Sequence, residues 1–210
     1  MEKSTDSQPK ETLDEKIVAR SPITQFQLWF DDAVKAGIAM PEAMTLATCT
    51  REGKPSARLV LLKKVDERGF VFFTNYKSLK ARDLDGNHFA ALVFYWPLLE
   101  RQVRVEGRVE RTSVAESNEY FQTRPRESQI GALASPQSQP IESREVLEQR
   151  FRELDELYRE RSVKRPDHWG GYRVGPERIE FWKGRPGRLH DRILYERQAG
   201  GSWSIARLAP

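Results

Sequence analysis

Three groups of cationic and hydroxyl-bearing side chains are spaced so that each could bind an anion. In the first, Arg188, His190 and Arg192 alternate within the segment RLHDR. If this segment is a strand, the three side chains share one face, about 7 Å apart in succession. Three donors on one face suit an anionic or electron-rich ligand. A solvated strand face explains the same motif without a ligand.

A second group spans the end of one predicted helix and the start of the next. Tyr120 and Arg124 lie one helical turn apart and therefore share a face. Pro125 begins the following helix, whose free N-terminal N–H groups can bind a phosphate, with Arg124 and Ser128 flanking that end. Helix capping beside a surface arginine is the alternative interpretation.

The third group is a pair of cations, Arg58 and Lys63, at the two ends of the apolar run 59–62. On one continuous strand they would face opposite sides, about 16 Å apart. One compact ligand could not easily contact both, whereas a dinucleotide-sized ligand, two ligands or a subunit boundary could. Cations at ordinary strand ends would give the same pattern.

Signatures of several other chemistries are absent from the sequence. There is no GxGxxG, GxxxxGK[ST], GxSxG or HExxH motif. The three histidines, at 88, 168 and 190, are far apart and have no cysteine partners, so no metal site is predicted. The single cysteine, Cys49, excludes an internal disulfide and is interpreted as a small residue inside a strand.

Composition narrows the class of protein further. The 210 residues are 38% hydrophobic and 31% charged, which fits one globular domain. The net charge of +4 is spread along the chain, unlike the concentrated basic face of a nucleic-acid binder. No segment approaches the roughly 18 apolar residues of a membrane helix, and the N-terminus lacks the apolar core of a secretory signal. We therefore expect a cytoplasmic protein.

The elements that must position these groups are predicted from apolar spacing. Residues 1–20 are polar and predict a disordered tail, followed by a single domain over 21–210. Helices are expected over 22–37, 78–87, 114–124, 125–135 and 142–161. Strands are expected in MTLATCT, ARLVLLKKV, FVFFTN, HFAALVFYW, RQVRVEGRVER, GGYRV, RIEFWKG, RLHDRILYER and SWSIARL.

Two of these strands carry further expectations. The apolar HFAALVFYW predicts burial on both faces, whereas RQVRVEGRVER alternates and predicts one buried face with Val103, Val105 and Val109. Many sequence-adjacent strands joined by short turns predict an α+β fold, with an antiparallel sheet closed into a barrel and helices packed outside it.

The ordered set of motifs resembles one known family. It comprises RLVLLK (58–63), FFTN (72–75), RQVRVEG (101–107), RPRESQIGA (124–132), WGGYR (169–173), EFW (180–182), RLHDR (188–192) and the terminal RLAP. From about residue 22 onward the chain resembles the pyridoxine/pyridoxamine 5'-phosphate oxidase family. The resemblance implies an antiparallel split β-barrel with flanking helices, and a homodimer that binds FMN where the subunits meet.

The resemblance also implies roles for individual residues. The family's FMN-contacting positions are occupied here by Arg58, Leu59, Val60, Leu61, Leu62, Lys63, Phe73, Thr74, Lys80, Gln102, Gln137, Ser138, Trp182 and Arg192. Its substrate positions are occupied by Lys63, Tyr120, Arg124, Ser128, Arg188 and His190, of which the last two would be catalytic. A general-base role for His190 stays open. Arg192 would stabilise negative charge on reduced FMN.

The implied reaction is FMN-dependent oxidation of pyridoxine or pyridoxamine 5'-phosphate to pyridoxal 5'-phosphate, in which O2 becomes hydrogen peroxide and the amine releases ammonia. Three rivals remain open: a related split-barrel flavoenzyme acting on another ring, such as a phenazine-type precursor; a non-catalytic protein that binds flavin or carries pyridoxal phosphate; and a basic nucleic-acid module. The segment RPRESQIGA argues against the first rival, because it would supply a phosphate anchor.

Two departures from the family pattern bear on the site. Ser78-Leu79-Lys80 stands where the family usually has Ser-Arg-Lys, so one flavin-side arginine is absent. The Arg-x-x-Tyr-like segment that folds over the substrate in many members is not found in residues 1–20. The sequence therefore leaves open whether the tail closes over the site.

Overall fold

The computed structural model describes residues 12–210, which divide into two compact units. The first unit comprises residues 12–41, 94–104 and 178–210, and the second comprises residues 42–93 and 105–177. The prediction of a single domain over residues 21–210 stays a prediction.

Five helices and nine strands alternate irregularly along the described chain. The helices are α1 (Pro22–Lys35), α2 (Leu79–Gly86), α3 (Val114–Thr123), α4 (Arg126–Ala134) and α5 (Arg144–Leu157). The strands are β1 (Ala43–Cys49), β2 (Pro55–Leu61), β3 (Lys64–Asp66), β4 (Gly69–Asn75), β5 (Phe89–Trp96), β6 (Arg101–Arg111), β7 (Trp169–Lys183), β8 (Asp191–Arg197) and β9 (Trp203–Arg207). Short 3-10 turns cover Pro97–Leu99 and Pro186–Arg188.

The strands pair antiparallel, as the sequence predicted. β1 pairs with both β2 and β5, β4 pairs with β3 and β7, and β8 pairs with β7 and β9. The hydrogen-bonded order is β2-β1-β5-β6-β7-β4-β3, with β8 and β9 added beside β7. The predicted fold class, an α+β protein with an antiparallel sheet of the split-barrel type, is confirmed.

The first unit is organised around helix α1. Ser21 caps the helix by accepting a hydrogen bond from the Thr24 N–H, and Pro22 occupies its first turn. The apolar stripe buries Phe26 and Trp29, whose rings lie 4.9 Å from Phe94 and 5.2 Å from Phe181. This packing supports the ends of β5 and β7 that belong to the first unit.

The second unit has a sheet core and a smaller core beneath its helices. The helical core consists of Phe121, Ile130, Val163 and Trp169. Helix α3 begins with a capping box in which Ser113 and Glu116 satisfy each other's backbone N–H groups. Arg173 is 2% exposed and donates to Asp66 Oδ1 at 2.7 Å and Glu116 Oε1 at 2.8 Å. The start of α3 is thereby tied to the turn between β3 and β4.

Several predicted strands differ in the structure. Strand β5 buries only alternate residues, and Phe89 and Tyr95 are 44% and 60% exposed, so burial on both faces was wrong. Val103, Val105 and Val109 are buried in β6 as predicted. The segments GGYRV and RIEFWKG form one 15-residue strand, β7, and ARLVLLKKV is interrupted after residue 61.

The N-terminal segment also differs from the prediction. Residues 12–20 contain no helix or strand, but Leu13 is 5% exposed and the Ala19 carbonyl accepts a hydrogen bond from the Tyr195 hydroxyl at 2.7 Å. Arg207 pairs with Glu15 at 2.8 Å. A disordered tail reaching residue 20 is therefore wrong for the contacting residues. Residues 1–11 lie outside the described part of the chain.

Candidate functional site

A cavity of about 740 Å³ in the second unit brings together most of the predicted site residues. Strand β2 and the segment after it supply one wall, β4 and α2 a second, and the α3–α4 junction a third. The lining residues are Arg58, Leu59, Val60, Leu61, Lys63, Phe73, Thr74, Lys80, Tyr120, Thr123, Arg124, Pro125, Ser128, Gln137 and Trp169.

All charged side chains that line this cavity are positive. Its lining holds the four cations Arg58, Lys63, Lys80 and Arg124, and no carboxylate occurs among the lining residues of the described chain. Burial lowers the pKa of Lys80, and the charge of Arg58 lowers it further. Burial also lowers the pKa of Arg58 and Arg124, although both remain charged at any physiological pH. Asp83 offsets part of the Arg58 charge from behind the wall, at 3.9 Å, and a bound anion would compensate the cations that line the cavity.

Arg58 is held rigidly by groups behind the cavity. Its Nη1 donates to Thr48 Oγ1 at 2.7 Å and to the Leu46 carbonyl at 3.3 Å, and its Nη2 donates to Ser56 Oγ. The Thr48 hydroxyl in turn donates to Asp83 Oδ2 at 2.6 Å, and Asp83 is 4% exposed. Strands β1 and β2 and helix α2 therefore fix this guanidinium together.

Lys80 belongs to a second polar cluster at the cavity wall. Its Nζ donates to Gln137 Oε1 at 2.9 Å and to Thr74 Oγ1 at 3.2 Å. Thr74 Oγ1 also donates to Gln137 Oε1 at 3.1 Å. Leu79 begins helix α2 and is 47% exposed. The position at which the family resemblance implies an arginine therefore presents an apolar side chain.

Arg124 lies at the aromatic end of the cavity. Its guanidinium carbon sits 4.6 Å above the Trp169 ring, and its buried Nη1 has no hydrogen-bond partner among residues 12–210. Phe73 stacks on Tyr120 at 4.1 Å and on Trp169 at 5.4 Å. A buried donor without a partner is costly, and an incoming anion would satisfy it.

The prediction for the third group, the cation pair, was wrong about the strand that carries it. Arg58 and Lys63 do not lie on one continuous strand, because β2 ends at residue 61. The Lys63 N–H instead bonds to the Val71 carbonyl at 2.8 Å, and both cations line the same cavity. The break in the strand removes the strict alternation on which the prediction of opposite faces rested. Leu62 is buried, and Ser138 is exposed with a φ of 67° next to Gln137.

The remaining predicted residues belong to the first unit: Gln102, Trp182, Arg188, His190 and Arg192. The shared strand face proposed for the RLHDR segment is wrong, because β8 begins only at Asp191. Arg188 has a φ of 61° and ends a 3-10 turn. Trp182 and His190 pack together, with ring centroids 4.6 Å apart.

Arg192 forms an ion pair that the sequence did not indicate. Its Nε and Nη2 donate to the two carboxylate oxygens of Glu180 at 2.8 and 3.0 Å, and its Nη1 donates to the Ala209 carbonyl. Arg104 also contacts Glu180. The carboxylate offsets much of the positive charge that Arg192 would present to a ligand.

Two groups in the second unit were missed from the sequence. Trp169 appeared only as part of a motif, although its ring forms a wall of the cavity and supports Arg124. Asp83 lies 35 residues from Thr48, so no spacing rule could have joined them to Arg58. Within residues 12–210 no group of three His, Cys, Asp or Glu side chains could hold a metal ion, and no helix has the length and apolar character needed to cross a membrane.

A cavity with four cations, no lining carboxylate and an aromatic wall, beside an antiparallel sheet, is suited to phosphorylated, ring-bearing molecules. Comparisons with known proteins narrow this class. Residues 30–158 match the family model described as pyridoxamine 5'-phosphate oxidase, and residues 169–210 match the pyridoxine 5'-phosphate oxidase C-terminal dimerisation region.

Curated relatives agree with this match. A pyridoxine/pyridoxamine 5'-phosphate oxidase of Cyanothece sp. is 57% identical over 96% of this chain and 94% of its own. A protein of the same name from Rubrobacter xylanophilus is 60% identical over 90% and 87%. The chain belongs to the pyridoxine/pyridoxamine 5'-phosphate oxidase family, whose members bind FMN.

Solved structures agree on the fold and add a second activity to consider. PhzG from Burkholderia lata, in complex with tetrahydrophenazine-1-carboxylic acid, superimposes with a TM-score of 0.89 at 31% identity, over 95% of this chain and 98% of that one. An FMN-binding protein from Nostoc punctiforme, at 17% identity and a TM-score of 0.73, supports the fold alone.

Proposed function

We propose that this chain is an FMN-dependent oxidase that converts pyridoxine or pyridoxamine 5'-phosphate to pyridoxal 5'-phosphate, in the synthesis and salvage of vitamin B6. The observation that carries the proposal is the cavity with four cations, no lining carboxylate and a stacked aromatic wall. Such a lining fits two phosphorylated molecules, FMN and the substrate, better than FMN together with a ring that carries a single carboxylate.

Within this proposal the two ends of the cavity have different tasks. Arg58, Lys80 and Gln137 hold FMN, with Thr48 and Asp83 keeping the Arg58 guanidinium in place. FMN, when bound, accepts two electrons from the substrate and passes them to O2, which becomes hydrogen peroxide.

The phosphate of the substrate is assigned to Lys63, Tyr120, Arg124 and Ser128 at the α3–α4 junction. Arg124 brings a buried Nη1 that still lacks a partner, and α4 begins immediately after Pro125. Binding of this remote group would orient the pyridine ring and so reduce the entropic part of the barrier. Arg188 and His190 are assigned to the reacting part of the substrate, and Trp182, Gln102 and Arg192 to the flavin.

Oxidation of a phenazine precursor is the second candidate, because the PhzG structure is so similar. The four lining cations and the unpartnered Arg124 Nη1 favour the phosphorylated substrate, since a phosphate carries more charge and more acceptor oxygens than the single carboxylate of a phenazine carboxylic acid. We further propose a homodimer, which the match to a dimerisation region supports, and a cytoplasmic location.

Anaerobic reduction of the yellow protein separates these candidates. Pyridoxine 5'-phosphate should bleach the flavin absorbance, and air should restore it with release of hydrogen peroxide. Unphosphorylated pyridoxine and a dihydrophenazine carboxylic acid serve as the matched ring controls. Bleaching by the phenazine compound alone would select the second candidate. Bound flavin that none of the three reduces would indicate a non-catalytic flavin carrier.

A further inference from the structure

The loop that carries His190 is closed by several contacts within the first unit. Gly187 and Arg188 adopt left-handed conformations with φ of 68° and 61°, which turns the chain back on itself. Arg185 Nε donates to Asp191 Oδ2 at 2.6 Å across the base of the loop. Asp191 Oδ1 accepts from Arg207 Nη1 at 2.9 Å. The two ends of the loop are therefore fixed on either side of His190.

This closure places a backbone donor against the imidazole. The Arg185 N–H donates to His190 Nδ1 at 3.1 Å, and the Trp182 ring packs against the imidazole at 4.6 Å. A backbone N–H can only donate, so Nδ1 must accept and cannot carry a proton. In the neutral ring the proton therefore lies on Nε2, which becomes a hydrogen-bond donor.

This tautomer, with the proton on Nε2, is the opposite of the one in which Nε2 acts as a base. A basic Nε2 requires the proton on Nδ1, where a carboxylate or carbonyl acceptor usually holds it. The nearby carboxylate of Asp191 has both oxygens committed to Arg185 and Arg207. Burial opposes ionisation of Asp191, but these hydrogen bonds outweigh it and keep its pKa below the ordinary value.

We infer that His190 serves the reaction as an Nε2–H hydrogen-bond donor, not as a general base, and that the Arg185 amide is the group that fixes this tautomer. The inference rests on the proposed oxidase function for the role of the donor. A donor at this position would polarise or orient the oxygen or nitrogen substituent of the substrate that is oxidised. Arg185 and Asp191 act through His190 and are positioning residues.

Two isosteric substitutions separate the donor role from the base role. His190→Gln places an amide N–H near the Nε2 position, whereas His190→Asn places an amide oxygen near the Nδ1 position and leaves no donor at Nε2. Neither side chain is basic. For a donor, kcat of His190→Gln should stay within about tenfold of wild type and exceed that of His190→Asn by at least about tenfold. For a base, both variants should lose about 10²–10⁴-fold, to similar levels.

A structural measurement tests the same inference without turnover. In 15N-labelled protein as purified, at a pH of about 8 where imidazoles are mostly neutral, long-range 1H–15N spectra should show His190 protonated at Nε2. The signal is assigned by its loss in His190→Gln. The Arg185 amide should exchange with solvent at least about tenfold faster in His190→Ala, and in His190→Asn it should remain protected. An Nδ1–H tautomer, or an Arg185 amide indifferent to residue 190, would overturn the inference. Failure of pyridoxine phosphate to turn over would overturn the proposed function and leave these spectra to decide the tautomer.

Discussion

We propose that recognition of the substrate phosphate depends most directly on Arg124. Arg124→Ala removes a charge-assisted contact of roughly 1.5–3 kcal/mol, so KM for pyridoxine phosphate should rise about ten- to hundredfold. FMN binding should change little. Arg126→Ala is the matched control, because Arg126 is exposed, pairs with Asp155 and does not line the cavity. Loss of flavin with unchanged KM would contradict the assignment.

A substitution at Leu79 tests whether FMN binding in this chain is weakened by the absence of an arginine there. Leucine offers no donor, and the flexible Lys80 is already bonded to Gln137 and Thr74. Leu79→Arg should therefore tighten FMN binding by about 1–2 kcal/mol, or roughly five- to thirtyfold. The gain should shrink in higher salt because part of the attraction is screened.

The measurement is a titration of apo-protein with FMN at two salt concentrations. Leu157→Arg adds the same charge at an exposed position of α5 and is the control. Equal dissociation constants for wild type and Leu79→Arg would mean that an arginine at this position contributes nothing in this chain. Lys77, two residues before Leu79, is exposed and would then be the residue that already provides the charge.

At the scale of helices and strands, prediction succeeded where local rules decide the outcome. Ser21 with Pro22 started α1, and the alternating valines of β6 located its buried face. Prediction failed where contacts with residues outside the segment decide its structure. Nothing within HFAALVFYW reveals that one face of β5 is exposed, and nothing within RLHDR reveals that the Arg185 amide and Asp191 close a loop there. The candidate site residues were named from motifs, whereas the groups that hold them in place were not found from the sequence.

The position of α3 should depend on Arg173. Burial would raise the pKa of Asp66 and Glu116, but hydrogen bonds from the Arg68 and Ser113 N–H groups and the charge of Arg173 outweigh it, so both pKa values lie below the ordinary range. A depressed carboxyl pKa stabilises the fold above the unfolded value of about 4, and the stabilisation is lost as pH falls through the folded value.

Arg173→Met should therefore lower the free energy of unfolding by about 1.5–3 kcal/mol at pH 7, because it removes a charge-assisted hydrogen bond from each of two carboxylates, which keep their contacts with Arg68. The difference from wild type should narrow as the pH falls below about 4, where the carboxyls are protonated. Thermal melting across this pH range is the measurement. Arg178→Met is the control, because its pair with Glu196 is exposed on the same strand. A difference that is independent of pH would rule out the ionic explanation.

At the scale of the whole molecule, the exposed apolar residue at the β2 edge of the sheet needs an explanation. Strand β2 stands at the end of the hydrogen-bonded order, and Leu59 in its centre is 73% exposed. Exposed apolar edge strands favour association unless they are covered. The same strand lines the cavity, and the chain matches a dimerisation region over residues 169–210. A second copy is the occupant that the family match supports.

We therefore expect a yellow dimer of twice the 24.4 kDa chain mass, with one FMN per chain and a melting temperature that rises with protein concentration. Leu59→Asp should weaken the dimer at least about a hundredfold, roughly 3 kcal/mol, because association would bury an unpaired carboxylate. The variant should also lose FMN, both because Leu59 lines the cavity assigned to the flavin and because the flavin is expected where the subunits meet, so the mass of the protein is the measurement that reports on the dimer. Leu157→Asp introduces the same charge on the exposed end of α5 and should leave both properties unchanged. Sedimentation velocity with absorbance at both protein and flavin wavelengths measures mass and cofactor content together.

Two outcomes would contradict this expectation. A Leu59→Asp protein that remains dimeric and retains FMN would show that β2 is not part of the interface. A wild-type monomer with bound FMN would remove the dimer from the proposal altogether.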